Sequence, residues 1–187
     1  MRRRVRSHRA IVSMLCATGI VFVAGCSAGA TARPPTPSPT REPAGAAGGA
    51  CLHLDYDVIE STLGAVFDVA AKGDSAGTST CVLQRDGASL PDLTLAVTRS
   101  SADPTVFKAV VMPKGAASVA ELGRQAYSVP VAATAEAGPG VEVGWLSGNA
   151  RLMVMRYRFP IGTDDATAAA FTPKLVELTR KIDRANV

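Results

Sequence analysis

Arg151-Leu152-Met153-Val154-Met155-Arg156-Tyr157-Arg158-Phe159 is the stretch that decides the fold. Its Met, Tyr and Phe side chains stand at every second position, which is the period of a β-strand with one face in a core. A tight hairpin turn is expected at Ser147-Gly148-Asn149, after an alternating apolar run from Val141 to Trp145. Strands joined by a tight turn pair antiparallel, so this region predicts an antiparallel sheet.

The same stretch carries three arginines, Arg151, Arg156 and Arg158. One interpretation places Arg156 and Arg158 at a solvated strand end, with the Met, Tyr and Phe side chains forming a core face. The alternative is a binding site for an anion or a lipid headgroup at that end, assisted by Arg151, because guanidinium groups suit phosphate and carboxylate recognition.

Three other segments have strand-like patterns. Cys81 to Gln84 and Leu93 to Thr98 flank a turn signal at Asp86-Gly87, and together they predict a hairpin. The pattern from Ala126 to Val131 predicts a further strand, which follows this hairpin in the chain and precedes the last two strands. Lys72 to Thr80 is polar and rich in Gly, so we expect a loop there.

Two helices are predicted from their capping residues. Asp55 can cap the first helix, which Gly64 can end in the left-handed conformation. The second is expected between Ser101 and Met112, where Asp103 can cap it and Pro104 fits its first turn. Its predicted apolar face consists of Val106, Phe107, Val110 and Val111.

A third helix is predicted at the C-terminus. It begins at Asp164-Asp165, and apolar residues recur at spacings of 3 and 4. Those residues are Phe171, Leu175, Leu178 and Ile182. Pro173 is expected to kink this helix or to restart it, with Thr172 as a new cap.

The predicted order is helix, two strands, helix, three strands and helix. This order is typical of an α+β domain with an antiparallel sheet of about five strands and helices mainly on one face. We expect residues 51–187 to form this single domain, which is long enough to bury a core.

The N-terminal segment has the organisation of an export signal. Residues 1–10 are rich in Arg, and residues 11–25 are apolar apart from Ser13 and Thr18. Such a run is short for a transmembrane helix but suits a signal peptide. It ends in Val23-Ala24-Gly25-Cys26, which resembles the lipobox of bacterial lipoproteins. The resemblance implies cleavage after Gly25 and a lipid anchor of diacylglyceryl and palmitate-type chains on Cys26.

Residues 26–50 follow this motif and are rich in Pro, Ala and Gly. They have little apolar surface to bury, so we expect a disordered tether between anchor and domain. The whole arrangement predicts a protein held at the cell membrane on its extracytoplasmic side.

The basic charge of the chain belongs to the leader. The formal net charge is +4, from 20 Lys and Arg against 16 Asp and Glu. Five arginines and no acid precede Cys26, which leaves 20 − 5 = 15 basic residues against 16 acidic ones, a net charge of −1. Nucleic-acid binding requires basic residues clustered on a folded face, so we predict no nucleic-acid partner.

The four cysteines fall into three roles. Cys16 lies in the leader, and Cys26 is the predicted lipidation site. Cys51 and Cys81 remain as an even pair in an exported domain, where a disulfide is favoured. The alternative is two buried free thiols. A bridge would stabilise the domain by roughly 3–4 kcal/mol on the chain-entropy model.

Several motifs of the folded part resemble those of a known group of proteins. Cys51-Leu52 leads into a capped helix ending at Leu63-Gly64, and Cys81 opens a strand. Val119 to Tyr127 contains a Leu-Gly-x-x-Ala-Tyr element. Together with the lipobox, these features resemble short actinobacterial, notably mycobacterial, lipoproteins with a two-cysteine domain. The resemblance implies a lipoprotein domain of unknown biochemical function and supports the two cysteines as a structural pair.

Two positions depart from that pattern. The group often has Trp just after the second cysteine, where this chain has Val82-Leu83, and Asp-Glu after the Leu-Gly, where it has Arg124-Gln125. The resemblance supplies no catalytic residues.

No catalytic constellation is evident in the sequence. After Cys26 the only histidine is His53, and no Gly-x-Ser-x-Gly elbow, zinc-ligand spacing or phosphate-binding loop occurs. We therefore predict no enzyme activity, no cofactor and no metal site. The expected function is a membrane-anchored binding domain for an envelope protein or a lipid ligand.

Two alternatives remain for the function. One is a lipid or glycolipid carrier with an apolar cavity lined by Trp145, Met153, Met155 and Phe159. The other is a structural component of the envelope.

Overall fold

The computed structural model describes residues 41–185. Seven strands form one antiparallel sheet in the order β1-β2-β3-β7-β6-β5-β4. The strands are β1 (Val69–Ser75), β2 (Thr78–Arg85), β3 (Ala88–Arg99), β4 (Ala117–Ser118), β5 (Gln125–Val131), β6 (Gly140–Leu146) and β7 (Arg151–Arg158). The helices are α1 (Tyr56–Leu63), α2 (Pro104–Val106) and α3 (Asp165–Ala185). The predicted α+β class is confirmed, although the sheet has seven strands and not about five.

The two additional strands lie at the edges of the sheet. The segment predicted as a loop forms most of β1, which pairs with β2 across a tight turn at Ala76-Gly77. The prediction was wrong here because β1 is exposed along nearly its whole length and so lacks the apolar alternation of a buried strand. β4 has only two residues, which is too short for any periodicity.

The stretch that decides the fold becomes β7, in the middle of the sheet between β3 and β6. Met155 stands opposite Leu95 of β3 and Val143 of β6, and all three side chains are fully buried. The main core therefore forms on this face of the sheet, against the apolar stripes of α1 and α3. Its helical members include Ile59, Leu175, Leu178 and Ile182.

A smaller apolar cluster lies on the opposite face, under α2. A single π turn, Phe107–Val111, continues α2, and the Phe107 ring packs 5.9 Å from that of Tyr127. The predicted apolar face is only partly correct, because Val110 is 77% exposed. A π turn changes the angular spacing of side chains, so a face drawn with α-helical spacing does not hold there.

The predicted caps of the first two helices are confirmed. The Asp55 carboxylate accepts hydrogen bonds from the backbone N–H groups of Asp57 and Val58. Gly64 ends α1 with a φ of 73°, the left-handed region that glycine adopts without strain. Asp103 caps α2 in the same way as Asp55 caps α1.

α3 is continuous through Pro173, so the predicted restart with a new cap at Thr172 is wrong. Proline removes one hydrogen bond to the carbonyl four residues earlier. That carbonyl belongs to Ala169, and both residues lie on the exposed side of the helix. Water can therefore satisfy the carbonyl group, and the packing of the buried stripe keeps the helix intact.

The folded part begins before Cys51. Two short 3-10 turns, Ala44–Ala47 and Gly49–His53, bury Ala44 and Ala50 against the domain. The Arg41 guanidinium donates hydrogen bonds to the Phe67 carbonyl and the Asp57 carboxylate, and it lies over the Tyr56 ring. The predicted tether boundary at residue 50 is therefore too late, because small Ala residues can pack closely in spite of their low apolar area.

The disulfide between Cys51 and Cys81 is confirmed. Both cysteines are completely buried, and the bond joins the 3-10 turn before α1 to β2. It therefore fastens the N-terminal part of the domain to the sheet.

The predicted leader, the lipobox with Cys26 and most of the predicted tether lie outside the described residues. None of the helices within residues 41–185 has both the length and the apolar character that crossing a membrane requires.

Candidate functional site

The structure separates the three arginines singled out in the sequence. Arg156 and Arg158 lie near the C-terminal end of β7, on the face turned away from α1 and α3. Arg151 lies at the other end of the strand and, by alternation, on the same face as the buried Met153. Arg151 therefore cannot assist the other two at one site.

Arg156 is committed to a contact inside the sheet. Its Nε lies 2.9 Å from Oε2 of Glu142, and its terminal nitrogen binds the same oxygen. The Tyr127 hydroxyl donates to the other oxygen of Glu142 at 2.8 Å. Burial, together with the hydrogen bond to Glu142, raises the pKa of Tyr127, so the hydroxyl stays a donor. These contacts satisfy a nearly buried carboxylate and join β5, β6 and β7.

Arg158 is engaged in another way. Its guanidinium donates to the Gly138 carbonyl at 3.2 and 3.3 Å. Asp92 of β3 stands directly opposite Arg158 in the pairing of β3 with β7. Burial raises the pKa of Asp92, while the charges of Arg158 and Arg156 act in the opposite direction. The contacts of Arg156 and Arg158 thus favour structural roles for both residues.

Arg151 takes part in a different arrangement, which the sequence did not reveal. It stands directly opposite Arg99 in the pairing of β3 with β7. The preceding pair on the same face, Val97 and Met153, packs at the core. The two arginines therefore project side by side from the core face, just beyond the end of the core.

This arginine pair borders two adjoining concavities. The first has a volume of about 460 Å³ and is also lined by Leu52, His53 and Ser79. The second has a volume of about 450 Å³ and is also lined by Ser100, Ser101 and Asn149. Hydroxyl groups therefore lie beside the guanidinium groups in both concavities, and the Asn149 amide adds to them in the second. We call this region, which consists of Arg99, Arg151 and the residues named here, the arginine-pair site.

No carboxylate within residues 41–185 forms an ion pair with Arg99 or Arg151. The acidic residue that lines the first concavity is Asp74, which lies 3.5 Å from the Lys72 ammonium. A terminal nitrogen of Arg151 lies 3.5 Å from Nε2 of His53. Arg99 is exposed and Arg151 is half-buried, so both guanidinium groups are accessible to a ligand.

The side chains predicted to line a lipid cavity belong to the core. Trp145, Met153 and Met155 are at most 1% exposed and lie in the same apolar cluster as α1 and α3. The indole N–H of Trp145 donates to the Asp183 carboxylate at 2.9 Å, which fixes α3 on the sheet. Phe159 packs against the Tyr157 and Phe171 rings. This packing favours the core interpretation over a carrier cavity.

The sequence offered a signal for only half of the arginine-pair site. Arg151 was visible as a charge at the end of an apolar strand, whereas Arg99 follows Leu93, Leu95 and Val97 with no distinguishing motif. Their proximity depends on the register between two strands separated by about fifty residues, which a single sequence does not contain. Among residues 41–185, no group of three or more His, Cys, Asp or Glu side chains is arranged to hold a metal ion.

Comparison with models of known protein families found no match to this chain. Comparisons with curated proteins and with solved structures found no match either.

Proposed function

We propose that this protein is a lipid-anchored domain that works on the extracytoplasmic side of a bacterial membrane as a non-catalytic binding module. The observation that carries the proposal is Cys26, which follows Val23-Ala24-Gly25 at the end of an apolar run behind an Arg-rich start. A thiol at this position is the acceptor that lipoprotein processing requires. The resemblance to short actinobacterial lipoproteins is part of the same proposal.

The disulfide supports the proposed compartment. Disulfides persist in oxidising surroundings such as the outside of the cell membrane and are rare in the cytosol. The bond between Cys51 and Cys81 is buried between a 3-10 turn and β2, so it is part of the domain's packing. A domain built around such a bond suits an exported protein.

The arginine-pair site supports a binding role. It presents two guanidinium groups, a histidine and several hydroxyl groups at the surface, and these are groups that recognise anions by charge and hydrogen bonds. His53 contacts one of the guanidinium groups and so contributes to the polar rim of the site. The proposed partners are accordingly an envelope protein or a lipid ligand.

The anchor is tested by replacing Cys26 with Ala in the full chain, expressed in an actinobacterial host. The wild-type protein is expected in the membrane fraction, with an intact mass that corresponds to a lipidated chain starting at residue 26. The Cys26→Ala variant is expected either to keep its leader or to leave the membrane fraction, because no thiol accepts the lipid.

Cys16→Ala is the matched control, because Cys16 lies in the segment that processing removes. It is expected to behave as the wild type does. A Cys26→Ala protein that stays in the membrane fraction at the normal mature mass would refute the proposed anchor.

A further inference from the structure

In the absence of a ligand, the placement of Arg99 opposite Arg151 destabilises the sheet. Directly opposed residues of antiparallel strands have their Cβ atoms only about 5 Å apart, and like charges at such positions are destabilising. No carboxylate in the described part of the chain forms an ion pair with either. In natural proteins, locally unfavourable arrangements such as this like-charge pair are concentrated at functional sites.

The chemistry of the pair selects the class of ligand. Each guanidinium presents several N–H donors in a planar fork, which matches the oxygens of a phosphate group. The Ser79 hydroxyl lines the first concavity, and those of Ser100 and Ser101 line the second, so further hydrogen-bond donors are available on both sides. A phosphate group between the guanidinium groups would also remove their mutual repulsion.

Apolar side chains adjoin the pair. Leu52 is 70% exposed and lines the first concavity together with Val97. The volume of that concavity, about 460 Å³, is in the range of sites for drug-sized ligands and much larger than one phosphate ion. An amphiphilic ligand, with an anionic head and an apolar portion, fits this combination.

From these features we propose that Arg99 and Arg151 bind the phosphate group of an anionic phospholipid, with the adjoining apolar portion of the lipid against Leu52. Among residues 41–185, Asp74 is the one carboxylate that lines the site, and it opposes an anionic ligand. Its contact with Lys72 at 3.5 Å offsets part of that effect. The site uses only side chains of the folded part, so it holds whether or not Cys26 is lipidated.

The test measures ligand binding to the full chain, purified in a neutral detergent, by titration calorimetry at low ionic strength. The three probes are inorganic phosphate, dihexanoyl phosphatidylglycerol and dihexanoyl phosphatidylcholine. Saturable binding of phosphatidylglycerol is expected, with weaker binding of phosphatidylcholine because its choline group is repelled. Arg99→Gln and Arg151→Gln are each expected to weaken binding about tenfold or more, as the loss of a charge-assisted contact does.

The matched control is Arg85→Gln, which removes the same charge from an exposed arginine at the other end of β2. Its affinity is expected to stay within about twofold of that of the wild type. Asp74→Asn is expected to tighten binding severalfold, a gain that loss of folding cannot produce. Arg99→Gln is also expected to keep or raise the melting temperature, because it removes a like-charge contact.

The probes distinguish two sources of the phosphate group. Phosphatidylglycerol that binds at least tenfold more tightly than inorganic phosphate supports the proposed lipid headgroup. Equal affinities for the two would overturn the lipid assignment and assign the site to free phosphate. The absence of saturable binding, or binding that neither Arg99→Gln nor Arg151→Gln weakens, would overturn the site itself.

Discussion

Glu142 is a nearly buried carboxylate whose partners come from two neighbouring strands, Tyr127 on β5 and Arg156 on β7. The Tyr127 ring reaches it by lying across Gly144, where a Cβ atom would overlap the ring atoms. Glycine at position 144 is thus required by close approach and not by backbone conformation. A small residue on a central strand permits the polar network beside it.

Gly144→Ala is predicted to destabilise the protein by about 2–3 kcal/mol, because the new methyl group displaces the Tyr127 ring and disrupts its hydrogen bond with Glu142. Urea unfolding followed by the fluorescence of Trp145 measures the effect. Gly73→Ala is the control, since Gly73 is also in a strand but has no atom within 4 Å of its added Cβ. Equal stability of the two variants would contradict this account of the network.

At the scale of elements, the helices were easier to predict than the edge strands. A cap is a local arrangement in which Asp55, Asp103 or Asp164 binds N–H groups two or three residues ahead, so the sequence contains all of it. β1 is different, because its backbone pairs with β2 while its side chains remain exposed. Whether this segment forms a strand depends on its backbone pairing with β2, and the segment's own side-chain pattern does not indicate that pairing.

The N-terminus of α3 has a predictable pH dependence. The Asp164 carboxylate accepts hydrogen bonds from the Thr167 N–H at 2.7 Å and the Thr167 hydroxyl at 3.0 Å. These bonds, that to the Thr167 N–H first, lower the pKa of Asp164 below its usual value of 3.8. A lowered pKa means that the contribution to stability is present above about pH 3.8 and is lost as the pH falls through the folded-state pKa.

Asp164→Ala is therefore predicted to lower the melting temperature at pH 7 and to have a much smaller effect at pH 2. Thermal unfolding of wild type and variant at the two pH values measures the difference in melting temperature between them. The titration of all other groups affects both proteins alike and so cancels in this difference. Asp165→Ala, at the first residue of α3, is expected to have a smaller effect at pH 7, because the Asp165 carboxylate accepts no capping hydrogen bond within residues 41–185. An Asp164→Ala effect of equal size at both pH values would contradict the cap.

At the scale of the whole molecule, two features fasten the N-terminal part of the domain, one to α1 and the other to the sheet. The Arg41 contacts hold residues 41–50 against α1, and the Cys51–Cys81 bond holds the following turn against β2. The sequence predicted the bond from compartment and cysteine number, but it placed the start of the domain too late. Packing through Ala44 and Ala50 gives no hydrophobic signal, which explains the error.

The double variant Cys51→Ala/Cys81→Ala is predicted to lose about 3–4 kcal/mol of unfolding free energy, because the unfolded chain is no longer closed into a loop. Urea unfolding of the full chain measures the loss. The wild-type protein after reduction is the control and is expected to lose a similar amount. A loss below about 1 kcal/mol in both would show that the bond contributes little to the fold.

The central claim is that Cys26 anchors an extracytoplasmic binding domain. The most direct test is intact-mass and N-terminal peptide analysis of the wild-type protein from the membrane fraction of an actinobacterial host. The account predicts a polypeptide that starts at Cys26, with a diacylglyceryl group on its sulfur and further acylation at its N-terminus. A polypeptide that retains Met1, or one with a free thiol at residue 26, would contradict it.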